Sequence, residues 1–489
     1  MRNFFYFTFF YLVGILLINI FYTEDYGNFL FLLASFIGLV YNALVLFKTN
    51  VLFGSFKLLS AGFIGVFVTF IVFNGGAISL LYVENFNFIE ANNFRIFMNN
   101  RALVKFASVA AVGNIFYWLG YMSKAGDYFF SLYYIGLKFK KLLKLEIKPL
   151  FPKILIVIGV ILNTILFVNG SFGRNEVDTE QVGGFMKILI TYSFFAEKLA
   201  QIGFFLLAGI YFKNKTNKRW FFGTLIVLII FSLLYGARGP IIILFILTIL
   251  PYYYVHRKIN LKIVLGGFLT ILIAFTLASE LKVFTNTLHD SEVSIDEYSE
   301  AFEEFQVSND ANLERKIYGS LYFNILQRLS TVAQGSIAMD YIDTHKLEKS
   351  DPPFISELVK IPLHTFVPRS KFLGTSFPAW GNWFRLKILG YSDSYHSNTS
   401  FGIVGFFYMA GKWIGVILGF YIYGIVFRFS NNILEIKTGI SFLVYLAILS
   451  AIVNVGASIP SSYASFLRFI IFLPLLFYSV IRVVNSIRL

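Results

Sequence analysis

The strongest constraint on this chain is the recurrence of long, predominantly apolar runs. They fall at roughly 4–22, 29–47, 58–82, 102–122, 153–169, 185–212, 219–235, 240–255, 261–280, 401–427, 438–455 and 466–482. Each is about 17 residues or longer, enough to cross about 30 Å of hydrocarbon. Composition agrees: of 489 residues, 57% are apolar and only 14% charged, whereas a soluble globular chain is nearer half apolar and a quarter charged. The sequence therefore predicts an all-α polytopic membrane protein of about twelve transmembrane helices.

The net charge of +14 does not mark a nucleic-acid partner, because the basic residues follow the loops instead of forming a patch. Lysine and arginine collect on the cytoplasmic side of short loops. With the N-terminus inside, the inside segments hold Arg2; Lys48 and Lys57; the lysine-rich loop from Lys124 to Lys153; Lys213, Lys215, Lys218 and Arg219; Arg257, Lys258 and Lys262; Arg428 and Lys437; and Arg482 and Arg488. The short outside loops hold Arg95, Arg101, Arg174 and Arg238, with acids at Glu24, Asp25, Glu84, Glu90, Glu176, Asp178 and Glu180. This alternation puts both termini inside. The N-terminus has the outline of a signal peptide but no small-x-small cleavage site, so it reads as a retained first helix. Residues 128–137 are too short to span and read as an interfacial segment or a helix extension.

The same parity places 281–400 outside. The chain then divides into a nine-helix bundle (1–280), one large outer loop (281–400) and a three-helix bundle (401–489). The loop opens acidic, from Asp290 to Glu304. Ile317, Leu321, Ile325, Leu329 and Val332 then recur at helical spacing, which predicts an amphipathic helix. A stretch punctuated by Pro352, Pro353, Pro362, Pro368 and Pro378 follows. This loop is too polar for lipid and too patterned for a linker, so function is expected there.

Arg238 lies in Tyr235-Gly236-Ala237-Arg238-Gly239-Pro240, a tight outer turn between two apolar runs. It is either a charged hairpin tip or a guanidinium placed to grip phosphate bidentately. Arg328 sits within the amphipathic stretch, where a solvated helix face is the competing reading. Arg369 and Lys371 follow Pro368, which fixes the backbone ahead of them; attachment to anionic headgroups is the rival role. His396, beside Asp393 and several hydroxyls, is a candidate general base, with Asp393 as the other.

Lys105, Lys187, Glu197, Lys198, Lys412 and Arg468 fall inside apolar runs. Most are near an end and can snorkel; Glu197 and Lys198 are central and suit a polar interior. The five histidines show no metal-ligand spacing, no HExxH, P-loop or GxSxG occurs, and no cysteine is present, so no metal or cofactor is expected.

Four stretches resemble the O-antigen (oligosaccharide repeat unit) polymerases, the Wzy-type family. The Gly236-Ala237-Arg238-Gly239 turn resembles the family's small-x-Arg-Gly turn, and Gln327-Arg328-Leu329-Ser330 its Arg-Leu element. Val367-Pro368-Arg369-Ser370-Lys371 is similar to its Pro-Arg element, and Thr399 to Gly415 to its aromatic, glycine-rich post-loop helix. The likeness covers roughly 220–425. It implies a GT-C-like fold with amphipathic helices in the outer loop and a metal-independent glycosyltransferase without cofactor. Such an enzyme would move a growing glycan from undecaprenyl pyrophosphate to a hydroxyl of another lipid-linked repeat unit, outside the bacterial cytoplasmic membrane. Arg238, Arg328, Arg369 and Lys371 would bind the pyrophosphate, and His396 or Asp393 would serve as base. The implied partners are the lipid-linked oligosaccharide, membrane lipids, a chain-length regulator and a flippase. An O-antigen ligase, a lipid-linked oligosaccharide flippase and a non-enzymatic scaffold are the alternatives.

Overall fold

The structure is a computed structural model that describes residues 2–48, 60–70, 100–136, 148–168, 193–234, 238–256, 331–345, 383–388, 402–436 and 438–453, with a few isolated positions besides. The described residues are almost entirely helical and include no strand. Four of the described helices are long and apolar enough to cross a membrane, within Asn3–Ile20, Phe29–Leu46, Arg101–Met122 and Gly402–Leu434. The expected span at 261–280 lies essentially outside the described residues, as does most of that at 466–482.

Two compact units are present. The first contains α1 (Arg2–Ile20), α2 (Gly27–Lys48), α3 (Ala61–Phe70), α4 (Asn100–Met122) and α5 (Ala125–Gly136). It also contains α10 (Thr331–Thr344), α11 (Gly402–Leu434) and α12 (Gly439–Val453). The second holds α6 (Leu150–Val168), α7 (Ser193–Asn214), α8 (Lys218–Leu234) and α9 (Arg238–His256). α10, from the expected outer loop, thus belongs to the same unit as the first five helices.

The first unit is organised on the α4–α11 pair. In lipid there is no hydrophobic drive between helices, so association rests on close backbone approach and interhelical hydrogen bonds. Both are present. A Cβ on Gly120 would run into the Tyr421 carbonyl oxygen, and one on Gly424 into the Tyr117 carbonyl oxygen. Around this crossing Tyr117, Trp118, Tyr121, Phe420 and Phe427 are fully buried. Trp118 Nε1 donates to Asn42 Oδ1 at 3.0 Å, Asn19 Nδ2 donates to Ser108 Oγ at 2.8 Å, and the Ala61 N–H donates to Asn431 Oδ1 at 3.2 Å.

These contacts also fix direction. Lys105 lies by Tyr408, Gly113 by Phe420 and Tyr121 by Arg428, so α4 and α11 run parallel. Gly14 meets Ile37 while Tyr11 stacks on Tyr41, so α1 and α2 are antiparallel. In the second unit, Gly159 against Ala200 and Gly203 against Pro152 make α6 and α7 antiparallel.

The outward faces are apolar. Ile414, Leu418 and Ile422 make an exposed stripe at i, i+4 spacing on α11, and Phe222, Ile226 and Ile230 make another on α8. Phe5, Phe9, Phe10, Leu16 and Ile20 are exposed on α1. Water would not tolerate such continuous apolar surface, whereas lipid does. The long apolar helices are those of a membrane protein. α5, with 12 residues, reaches only about 18 Å and exposes Tyr128, Phe129 and Leu132, as an interfacial helix would.

If the α4–α11 crossing needs bare backbone, Gly120→Ala will destabilise the detergent-solubilised protein by about 1–3 kcal/mol. Gly223, with open space around its Cβ position on α8, gives the control: Gly223→Ala will be neutral or stabilising by up to about 1 kcal/mol. Thermal melts of the two variants check the contrast.

Candidate functional site

The site is built where α11 breaks. Gly411 is extended (φ −176°, ψ 30°), and Lys412 takes φ 49°, ψ −133°, a conformation that non-glycine residues rarely adopt. The break separates 402–410 from 413–434. The longer part reaches about 33 Å, a membrane thickness by itself. The part of α11 from 413 onward is thus long enough to span without the first turns, and it continues past the expected end at 427.

The short part is an anchor. Phe406 and Met409 pack with Ile337, Ala338 and Ile342 of α10 and with Phe384 and Ile388 of a short π-helical turn, Phe384–Ile388. This apolar cluster seats α10 so that its last turn meets α4 and the break. Asp343, in that turn, pairs with Lys105 of α4 and, at 3.3 Å through Oδ1, with Lys412. The hydroxyl of Tyr408 donates to both carboxylate oxygens, at 3.1 and 3.2 Å. Lys105 Nζ also stands 5.0 Å from the centre of the Tyr408 ring, a cation–π distance. Trp413 meets that ring edge-on at 6.2 Å.

Two ammonium groups therefore share one carboxylate at the C-terminal end of α10, where the helix dipole favours cations. Arg101 and Asp340 lie one helical turn before Lys105 and Asp343 and act on Lys105 electrostatically. Among the described residues three cations face two carboxylates, an excess of positive charge. The cluster is also open: the Lys412 side chain is 58% exposed, against 33% for Lys105 and 25% for Asp343. The chemistry on offer is anion binding by compact, rotatable donors, next to a carboxylate able to accept a proton.

A second ionic group lies far along α11. Arg428 Nε donates to Asp127 Oδ1 at 2.8 Å, and Asn432 Nδ2 donates to the same oxygen at 2.7 Å. Burial raises the Asp127 carboxyl, but the hydrogen bonds from Arg428 and Asn432 outweigh it and hold the group below its ordinary value. Arg428 also lies against the Tyr121 ring. With its donors engaged in this way, the group acts as a tie holding α5 to α11.

Arg238 is the first residue of α9, and its side chain is outside what the structure describes. Arg328, Arg369, Lys371, Asp393 and His396 lie outside the described residues, as do the proposed acidic segment and the proline-punctuated stretch. Of the amphipathic pattern 317–332, only Val332 is described; it is buried in α10. Lys105 and Lys412, read from sequence as snorkelling charges, are both ion-paired. Asp343 was missed. The available signal was two lysines stranded in apolar runs, which calls for a carboxylate partner.

Among the described residues no three His, Asp or Glu side chains converge as metal ligands would. No protein-family model, curated protein or solved structure matches the chain. Fold and site together define a helical membrane-type protein with a cation-rich cluster at a broken helix.

Lys412 sits in a backbone conformation that costs roughly 1–3 kcal/mol, while exposed ion pairs contribute under about 1 kcal/mol. Lys412→Gly should therefore raise thermal stability by about 1 kcal/mol. A thermal melt of the variant beside wild type reads it. A glycine variant that is less stable would show that the break carries no strain.

Proposed function

We propose that this protein polymerises lipid-linked oligosaccharide repeat units, transferring a glycan from undecaprenyl pyrophosphate to a hydroxyl of another lipid-linked unit. The observation that carries the reading is the Lys105–Asp343–Lys412 cluster, a positive, accessible locality at the end of a membrane-length helix. The reading includes about twelve spans, cytoplasmic termini and an outer loop at 281–400. The parallel course of α4 and α11 and the antiparallel α1–α2 and α6–α7 pairs are the relations that this alternation of spans requires, while the outer placement comes from the distribution of lysine and arginine. On this reading, Lys105, Asp343 and Lys412 all belong to the outer membrane surface.

The chemistry follows from charge. The acceptor oxygen attacks the anomeric carbon, the bond from that carbon to the pyrophosphate oxygen breaks, and the electron pair leaves with the phosphate. Negative charge grows on the leaving group, and fixed cations lower the barrier by meeting it there. Lys105 and Lys412 would serve as such cations, and the resemblance implies the same role for Arg328, Arg369 and Lys371. The hydroxyl proton needs an acceptor, for which the sequence offers His396 and Asp393.

The test is a surface-polysaccharide gel of cells lacking the gene, restored with wild type, Lys412→Gln or Arg369→Ala. The polymerase reading expects a single repeat unit in the deletion, a full ladder with wild type, and shortened or absent ladders with either variant. Long chains that persist on the carrier lipid in the deletion would identify a ligase instead. A ladder unaffected by deletion would exclude both.

A further inference from the structure

We propose that Asp343 takes the proton of the acceptor hydroxyl, and that the donor's own pyrophosphate makes it available by drawing Lys105 and Lys412 away. This rests on the polymerase reading above, with Asp343 in place of His396 or Asp393 as the base. It deepens that reading by giving the cluster an order of events.

The resting geometry motivates it. A carboxylate offers about four lone-pair directions. Asp343 has the ammonium of Lys105 on Oδ2, that of Lys412 on Oδ1 and the Tyr408 hydroxyl bridging both. Little of it is left to receive a substrate proton. Each lysine ammonium is a compact point charge on a flexible stem, so it can exchange one anion for another without moving its helix. A pyrophosphate ester carries more charge than one carboxylate, and at equal distance the Coulomb attraction scales with that charge. An arriving donor therefore outcompetes Asp343 for both lysines.

Exchange leaves Asp343 held by Tyr408, whose ring is buried and whose backbone belongs to the anchored part of α11. The carboxylate stays in place while two of its directions open beside the newly bound leaving group. The balance is closed: the acceptor O–H proton passes to Asp343, the acceptor oxygen bonds to the anomeric carbon, and the bond to pyrophosphate breaks with its electron pair on phosphate. The open side of the cluster is the Lys412 side, the most exposed of the three charges, which suits entry of the phosphates there.

The experiment uses the full chain in nanodiscs of zwitterionic lipid, with lipid-linked repeat units as substrate and inorganic pyrophosphate as binding probe. Asp343→Asn should lower kcat by about 100-fold or more, with KM for the lipid-linked substrate unchanged or lower. Pyrophosphate should bind that variant about fivefold more tightly, since its lysines no longer face a competing carboxylate. Asp343→Glu should recover part of the turnover. Full activity in Asp343→Asn overturns the assignment. Loss of pyrophosphate binding together with turnover also overturns it, since that is the mark of a purely structural residue. Repeating the titration in anionic lipid, at a salt concentration that screens repulsion from the surface, separates headgroups from free phosphate: weaker pyrophosphate binding there means that headgroups occupy the lysines, which overturns activation by the donor. A wild-type protein that makes no polymer removes the polymerase reading itself, an outcome distinct from failure of Asp343 alone.

Discussion

The close crossing of α4 and α11 underlies the rest of the first unit. Helices in hydrocarbon gain nothing from hiding apolar side chains from each other. The pair is held instead by bare backbone at Gly120 and Gly424, with large aromatic side chains packed around it. Because the two helices run parallel, their N-terminal ends emerge together. This brings Lys105 of one beside Tyr408 and Lys412 of the other. The cluster is thus a consequence of the packing below it.

The break at Gly411 and Lys412 gives the arrangement its second part. A straight helix through 402–434 would carry its first turns onward along the same axis. The break lets those turns lie against α10 while the remainder crosses a full membrane thickness. Placing a lysine, not a glycine, at the strained position costs stability, and such outliers concentrate where function holds them. The lysine there is one of two cations on Asp343. Strain, charge and exposure coincide at a single residue.

The helical, membrane-type character was legible in the sequence: apolar length predicts helices, the described residues form helices and no strand, and the directions of the described pairs agree with alternating spans. Less of the site was legible. Lys105 and Lys412 stood out, but each near the end of an apolar run has an easy explanation in snorkelling, and nothing local contradicts it. Their partner lies 238 positions from Lys105, and ion pairs over such distances leave no periodic trace. The amphipathic pattern was followed to Val332, where α10 has barely begun, so its acidic last turn went unread. The helix break was hidden for a different reason: Gly411 is one of several glycines in an aromatic stretch that includes Gly405, Gly415 and Gly419.

On the polymerase reading this cluster faces the outer side of the membrane. The chain has no cysteine, and Gly411 is exposed, has open space around its Cβ position and is extended, so any residue fits there. The direct measurement is labelling of Gly411→Cys with a membrane-impermeant maleimide in intact spheroplasts. An outer location gives rapid labelling without permeabilisation. Labelling that appears only after the membrane is opened would place the cluster on the cytoplasmic side and contradict it.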